Sequence, residues 1–368
     1  MPSSTYLACL IAWFALLGLM AWWLIHVRRS RRRAGLPPRW VDPALGWWCV
    51  LVLLTLPECW FAYVYDDTDS YGQTNVSRKW FERHVRANQA GYRDDRDWPT
   101  AREAGVVYVG FAGDSFTFGH GIRRTADRFS DLVARRLHTE LAGRVRVMNL
   151  ALPGVEIRAL SEKLVPELIQ SGLPLDVLVY VFVPNDIEYL DERTAEFYQQ
   201  QQAQVPKFFL WRDTYFYNWL YLRVTGLLGG RRGDYYGYLA EAYRGPPWER
   251  FQSKLRELHR LCQQQAIELR VVTFPFLTRW GADDPFAGAY AQLAAHCREE
   301  GIACLDLRPV LEPHAAEGLV VSPFDAHPNE TAHRLAAAEI SRDLAVALTC
   351  RMSGNGPCEP RDEPSHEH

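Results

Sequence analysis

Two regimes of hydrophobic patterning divide the chain. Beyond residue 105, short and almost wholly apolar runs alternate with longer stretches of helical periodicity. The runs at 106–112, 145–150, 176–183, 268–274 and 302–307 read as strands. The third contains VLVYVFV, which has no charged position, as expected of a strand covered on both faces. Helical spacing marks about 127–142, 157–171, 248–266, 286–300 and 330–348. Strands alternating with helices of this length predict an α/β fold, a parallel sheet between two helical layers.

The first 66 residues follow another pattern. Residues 6–26, YLACLIAWFALLGLMAWWLIH, hold no Asp, Glu, Lys or Arg and are long enough to cross a bilayer as a helix. A second apolar stretch, 45–65, carries only Glu58. Between them lie Arg28, Arg29, Arg31, Arg32, Arg33 and Arg39. Trp22, Trp23, Trp40, Trp47, Trp48 and Trp60 cluster near the ends of the two stretches, where amphipathic rings favour the membrane interface. A cleaved signal peptide fits poorly, because MPSSTYLACL has no basic start and the apolar run is too long. The positive-inside bias places the arginine loop in the cytoplasm. Both termini, and everything after about residue 66, then lie outside, in the periplasm of a bacterium whose inner membrane holds the anchor. The expected division is a two-helix anchor at 1–66, a connector at 67–104, the α/β domain at 105–350, and a charged, Pro-rich tail at 351–368 with the composition of disordered chain.

An insertion at about 187–247 interrupts the alternation. Its residues 208–228 hold more aromatic surface than an exposed loop can leave in water without a partner. Phe216, Trp219, Leu220 and Val224 share one helical face. The segment is expected to pack in part on the sheet domain and in part to face the membrane or an amphipathic substrate. Docking of another envelope protein is the remaining role.

The net charge of −3 excludes a basic field for nucleic acid. Of the eight cysteines, Cys9, Cys49 and Cys59 sit in or beside the apolar stretches. Cys262, Cys297, Cys304, Cys350 and Cys358 fall in the outer part, where disulfides persist, and Cys350 and Cys358 flank a short Gly/Pro segment suited to a small loop disulfide. There is no Cys-x-x-Cys or His-rich spacing that would suggest zinc, and no metal or organic cofactor is expected.

Ligands of open parallel sheets gather beyond the carboxyl ends of the strands. Four such ends carry chemistry-bearing residues: GDSFTFGHG after the first run, NLALPG after the second, VPND after the third and DAHPN after the last. Together and in this order they resemble the SGNH hydrolases, the GDSL-type esterase superfamily, over about residues 104–349. NQAGYRDDRD (Asn88 to Asp97) looks like the lead-in of membrane-anchored bacterial members. The resemblance implies a flavodoxin-like α/β/α domain. It implies Ser115 as nucleophile, His327 as its base and Asp325 as the acid that orients the base. It makes the oxyanion hole from the Ser115 and Gly154 backbone N–H groups and the Asn185 amide. The commoner spacing is Asp-x-x-His, which would put Phe324 at the acid; Asp-x-His looks like a variant of relatives linked to polysaccharide acylation. Asp114 is expected to anchor the turn. His120 and His333 lie outside the matching positions, and loop packing and a helix face account for them.

The function implied is a membrane-anchored serine esterase or O-acyltransferase. It would act through an acyl-serine on an ester-linked acyl group, such as acetyl, of an envelope glycan or lipid. The alternative is a non-catalytic glycan-binding envelope protein on the same fold. The topology has a direct test: in intact cells, a cysteine introduced near Asp97 should react with an impermeant maleimide, and one near Ala34 should not. The opposite pattern reverses the orientation.

Overall fold

The computed structural model describes residues 2–194, 206–228 and 235–353. The chain gathers into two compact units, residues 1–85 with 200–233, and residues 86–199 with 234–368. The insertion is thus shared between them.

In the first unit, helices Ser4–Arg33 and Val41–Tyr63 are each long and apolar enough to cross a membrane. They pack as a hairpin pinned by polar contacts along its length. Trp48 Nε1 donates to Leu17 O (2.9 Å), Trp13 Nε1 to Thr55 Oγ1 (3.0 Å) and Arg28 Nε to Asp42 Oδ1 (2.7 Å). Leu16, Leu19, Trp47 and Leu53 remain exposed. The connector folds into a third helix, Asn75–His84, capped by the Thr74 side chain. From it the buried Lys79 ammonium donates to the Phe61, Ala62 and Tyr65 carbonyls, satisfying acceptors that the end of the second helix leaves open.

The aromatic part of the insertion belongs here and not on the sheet, which corrects the expectation that it packs on the sheet domain. Helix Phe216–Leu228 lies on the second apolar helix, with Phe216 and Trp219 against Phe61 at ring distances of 5.0 and 5.1 Å. The reason is polar as well as apolar. Glu58, buried in the apolar body of the second helix, accepts the Tyr215 and Phe216 backbone N–H groups (both 2.8 Å) and the Tyr6 hydroxyl (2.5 Å). A carboxylate is the natural acceptor for the open N–H groups at a helix start. The far end of the insertion, Tyr235–Ala242, packs in the second unit, where Leu239 and Tyr243 join the core of the sheet domain.

The second unit is built on a five-stranded sheet, β1 (Val107–Gly113), β2 (Val145–Asn149), β3 (Val177–Phe182), β4 (Glu268–Thr273) and β5 (Ala303–Asp306). Each lies within two residues of its apolar run. All pairings are parallel, in the order β2-β1-β3-β4-β5, the flavodoxin-like winding. Every residue of β1 and β3 is buried, so helices cover both faces. The five helices that the periodicity predicts are present, the second as a composite of α and π turns over 157–170. A two-stranded antiparallel hairpin follows, β6 (Val320–Ser322) and β7 (Asp325–Pro328), too short for periodicity to mark. Cys350 is disulfide-bonded, whereas Cys262, Cys297 and Cys304 are free thiols; Cys358 and the tail lie outside the described residues.

If Glu58 holds the insertion, Glu58→Ala should release it. Losing such a cap costs about 0.5–2 kcal/mol. Trypsin should then cut at Lys207 or Arg212 faster than in the parent protein, while the sheet unit keeps its thermal midpoint. An unchanged cleavage rate would mean that ring packing and the Asn75 hydrogen bonds to Arg212 O, Thr214 O and Asn218 Oδ1 hold the segment without Glu58.

Candidate active site

The winding order fixes where chemistry can gather. Chain segments leaving β1 and β3 depart from neighbouring strands at the point where the order reverses, and this opens a crevice at the sheet's carboxyl edge. Ser115 follows β1 directly and is the first residue of the short helix Ser115–Phe118. Asp114 caps that helix: its Oδ1 accepts Phe116 N–H (2.9 Å), and its Oδ2 accepts the Asn185 amide from the end of β3 (3.0 Å). Asp114 is fully buried, which raises its pKa against the lowering effect of those two hydrogen bonds. After β2, Gly154 sits on an exposed turn at φ +75°, a conformation that favours glycine. This segment is tied to the end of β1 by Leu152 N–H donating to Gly113 O (3.3 Å). Buried Asn149 adds bonds from its amide to Thr117 O (2.7 Å) and Ser130 Oγ (2.8 Å).

The hairpin brings the remaining groups. Side chains two apart on a strand share a face, so on β7 Asp325 and His327 lie side by side while Ala326 points away. This is how Asp-x-His spacing works here without a further residue between them. The Asp325 carboxylate accepts the His327 Nδ1–H (2.5 Å) and the His327 backbone N–H (3.1 Å) on the same oxygen, Oδ1. Because a carboxylate only accepts, Nδ1 carries the proton, and in the neutral imidazole Nε2 is then bare. Ser115 Oγ lies 2.8 Å from that Nε2 and donates to it. Asn329 ends the block by capping helix Glu330–Met352 through Thr331 and Ala332 N–H, which fixes the strand's exit.

Asp325 is completely buried. Burial alone would raise its pKa, but the His327 imidazole and hydrogen bonds from His120 and His327 outweigh it and hold the carboxyl well below the usual range. A serine hydroxyl, a bare imidazole nitrogen and an ionised carboxylate in one hydrogen-bonded line can carry a proton off the hydroxyl and hold the resulting imidazolium. Ser115 is half-buried and Gly154 exposed, so the hydroxyl end of the line is open to solvent.

Two histidines do more than the sequence reading allows. His120, assigned there to loop packing, places Nε2 3.4 Å from Asp325 Oδ2 and stacks on His327. His333, assigned to a helix face, is fully buried, and its Nδ1 accepts the Phe129 backbone N–H (3.0 Å). His120, Asp325 and His327 also offer ligand atoms within 4.8 Å of one another. Asp325 already pairs with both rings, with His327 Nδ1 on Oδ1 and His120 Nε2 near Oδ2, which accounts for the trio without an ion.

The chain belongs to the GDSL-like lipase/acylhydrolase family, whose model matches residues 111–335. It is therefore a hydrolase, and the family identifies it as an esterase. Similar solved structures include a member of the lipolytic G-D-S-L family from Veillonella parvula (15% identity, 64% of this chain and 97% of that one, TM-score 0.39). Another is a catalytic mutant of an acetylxylan esterase from Geobacillus stearothermophilus (14% identity, 66% and 96% covered, TM-score 0.42). A third is the acetyl xylan esterase AlAXEase (15% identity, 65% and 100% covered, TM-score 0.41). No curated protein matches the sequence.

His333 generates a pH prediction. Burial, with Arg128 and Arg93 close by, pulls its pKa from 6.5 down to about 3. Between those values the unfolded chain binds a proton that the folded one refuses, so stability falls as pH drops from 6.5 towards 3. The slope from this group is about 1.4 kcal/mol per pH unit. Urea midpoints of His333→Asn, whose amide oxygen can still accept from Phe129, should fall less steeply over that range. Parallel curves would show that His333 does not couple acid to unfolding.

Proposed function

We propose that the protein is a membrane-anchored serine esterase or O-acyltransferase. It acts on an ester-linked acyl group, acetyl above all, of an envelope glycan or lipid. The observation that carries this reading is the hydrogen-bonded line from Ser115 through His327 to Asp325 at the carboxyl edge of the sheet.

Ser115 Oγ attacks the ester carbonyl carbon while its proton passes to His327 Nε2. The carbonyl oxygen becomes an oxyanion, held by the Ser115 and Gly154 backbone N–H groups and the Asn185 amide; one such donor is worth on the order of 100- to 1000-fold in rate. Collapse of the adduct breaks the ester bond, and His327 returns the proton to the leaving alkoxide. The acyl-serine is then attacked by water, or by a sugar hydroxyl, whose proton follows the same path; Ser115 is regenerated when that adduct collapses. Water makes the protein an esterase, and a sugar hydroxyl makes it an O-acyltransferase.

The two apolar helices and the arginines between them support an inner-membrane anchor with the hydrolase unit on the periplasmic side. Tethering suits a substrate that is itself confined to the envelope. Its acceptor is distinguished by product analysis with acetylated and unacetylated oligosaccharides.

The test is covalent labelling. A fluorophosphonate probe should mark the wild-type protein and not Ser115→Ala. Asp325→Asn should fold normally yet lose on the order of 10,000-fold in kcat on p-nitrophenyl acetate, through the wrong imidazole tautomer. A folded wild-type protein that takes no label would favour a glycan-binding role.

A further inference from the structure

His120 lies five residues beyond the nucleophile, yet its ring meets the acid and the base together. Its Nε2 is 3.4 Å from Asp325 Oδ2, the oxygen opposite the one that holds His327. Its ring lies flat on the His327 ring, with centroids 3.9 Å apart and planes 16° off parallel. Phe116 closes another side of His327, edge on, at 5.5 Å. His120 and Asp325 are both buried, at 5% and 0% exposure, so neither exchanges these partners for water without opening the site.

The loop that carries His120 is itself held rigidly. Arg93, from the NQAGYRDDRD stretch, is buried and donates to the carbonyls of Gly119 (2.7 Å) and Ile122 (2.5 Å), on either side of His120. Arg128, also buried, donates to Arg93 O (2.8 Å) and presses against Gly119, where a Cβ would come within 2.6 Å of its Cδ. Gly119 has φ +79°, so this position admits no side chain on either count. Two guanidinium groups in the interior are a costly way to build a loop, unless the placement of that loop matters.

We propose that His120 is a positioning residue for the reaction. It donates Nε2–H to Asp325 and stacks on His327, fixing carboxylate and imidazole as one unit. The need arises from the strand. Asp325 and His327 are neighbours on one face of β7, and the His327 Nδ1–H and backbone N–H both use the same carboxylate oxygen, so these two donors hold the carboxylate from one side. A donor on the second oxygen holds it from the other side. The inference rests on the proposed roles of Ser115, His327 and Asp325.

A second donor on Asp325 draws charge away from the carboxylate that holds the His327 Nδ1 proton. Removing it should move the acid limb of the kcat/KM profile upward. The other charged and titratable groups near the pair are Asp114 on the nucleophile loop, His333 on the last helix, and Arg93 and Arg128 behind the His120 loop. All remain in place in the variants below.

The experiment uses the full chain in detergent with two substitutions. His120→Phe keeps a stacked ring and loses the donor; His120→Gln keeps an amide donor near Nε2 and loses the ring. Expected for His120→Phe is a loss of about 10- to 100-fold in kcat on p-nitrophenyl acetate with KM nearly unchanged, and an acid limb of kcat/KM moved up by about half a unit. His120→Gln should recover most of kcat and restore the limb. The NMR resonance of the His327 Nδ1 proton reads the same contact without turnover, and should shift in His120→Phe and return towards wild type in His120→Gln. A folded His120→Phe with wild-type kcat, acid limb and Nδ1 resonance overturns the proposal. So does an equal fall in both variants with no shift of either pH limb or resonance, which is the mark of a merely structural residue. If His120→Phe does not fold, His120→Gln decides: retained kcat and resonance support the donor, and a loss as large as that of His327→Ala overturns it. Failure of the underlying triad would appear separately, as wild-type protein that takes no fluorophosphonate label while the resonance test still reads His120.

Discussion

The Asp325 carboxylate is a charge without solvent. It is fully buried, and an ion in that position is tolerated only where donors replace its water. The His327 backbone N–H and Nδ1–H converge on one oxygen, and His120 stands at the other. These donors hold the carboxyl ionised and set the imidazole tautomer, and the tautomer decides that Nε2 can accept from Ser115. Each hydrogen bond of the line depends on the one before it, so the partner open to a half-buried serine hydroxyl is set by a group the serine never touches.

The same constraint explains the scaffold behind the site. The three loops that meet at Ser115 leave neighbouring strands, and short polar links tie them: Asp114 to Asn185, Asn149 to Thr117, Gly113 to Leu152. Buried Arg93 and Arg128 fix the segment after the Ser115–Phe118 helix. Such links replace water for backbone groups that the sheet edge leaves unpaired. They also hold Ser115 and its neighbours on rigid elements.

In the other unit a second buried carboxylate does structural work of the same kind. Glu58 joins the two apolar helices and the insertion helix through Tyr6 and two backbone N–H groups. Burial there is repaid by donors, as it is at Asp325. The aromatic residues of the insertion find their apolar partner in Phe61 of the second apolar helix, which is why the insertion is divided between the units.

By itself the sequence determined the α/β class and the five strands, because strands buried on both faces must be apolar throughout, and it determined the two apolar helices, because such a run of residues cannot be left in water. Ser115, Asn185, Asp325 and His327 were legible because short local blocks at strand ends carry them. Only the tertiary structure decided that His120 meets Asp325 across 205 positions of chain, that Arg93 clamps the loop that carries His120, and that residues 208–228 pack on Glu58 and Phe61. The physical reason is one of range. Periodicity and local motifs report what a residue does within its own element, whereas a buried charge takes its partners from whatever the fold brings within hydrogen-bond distance.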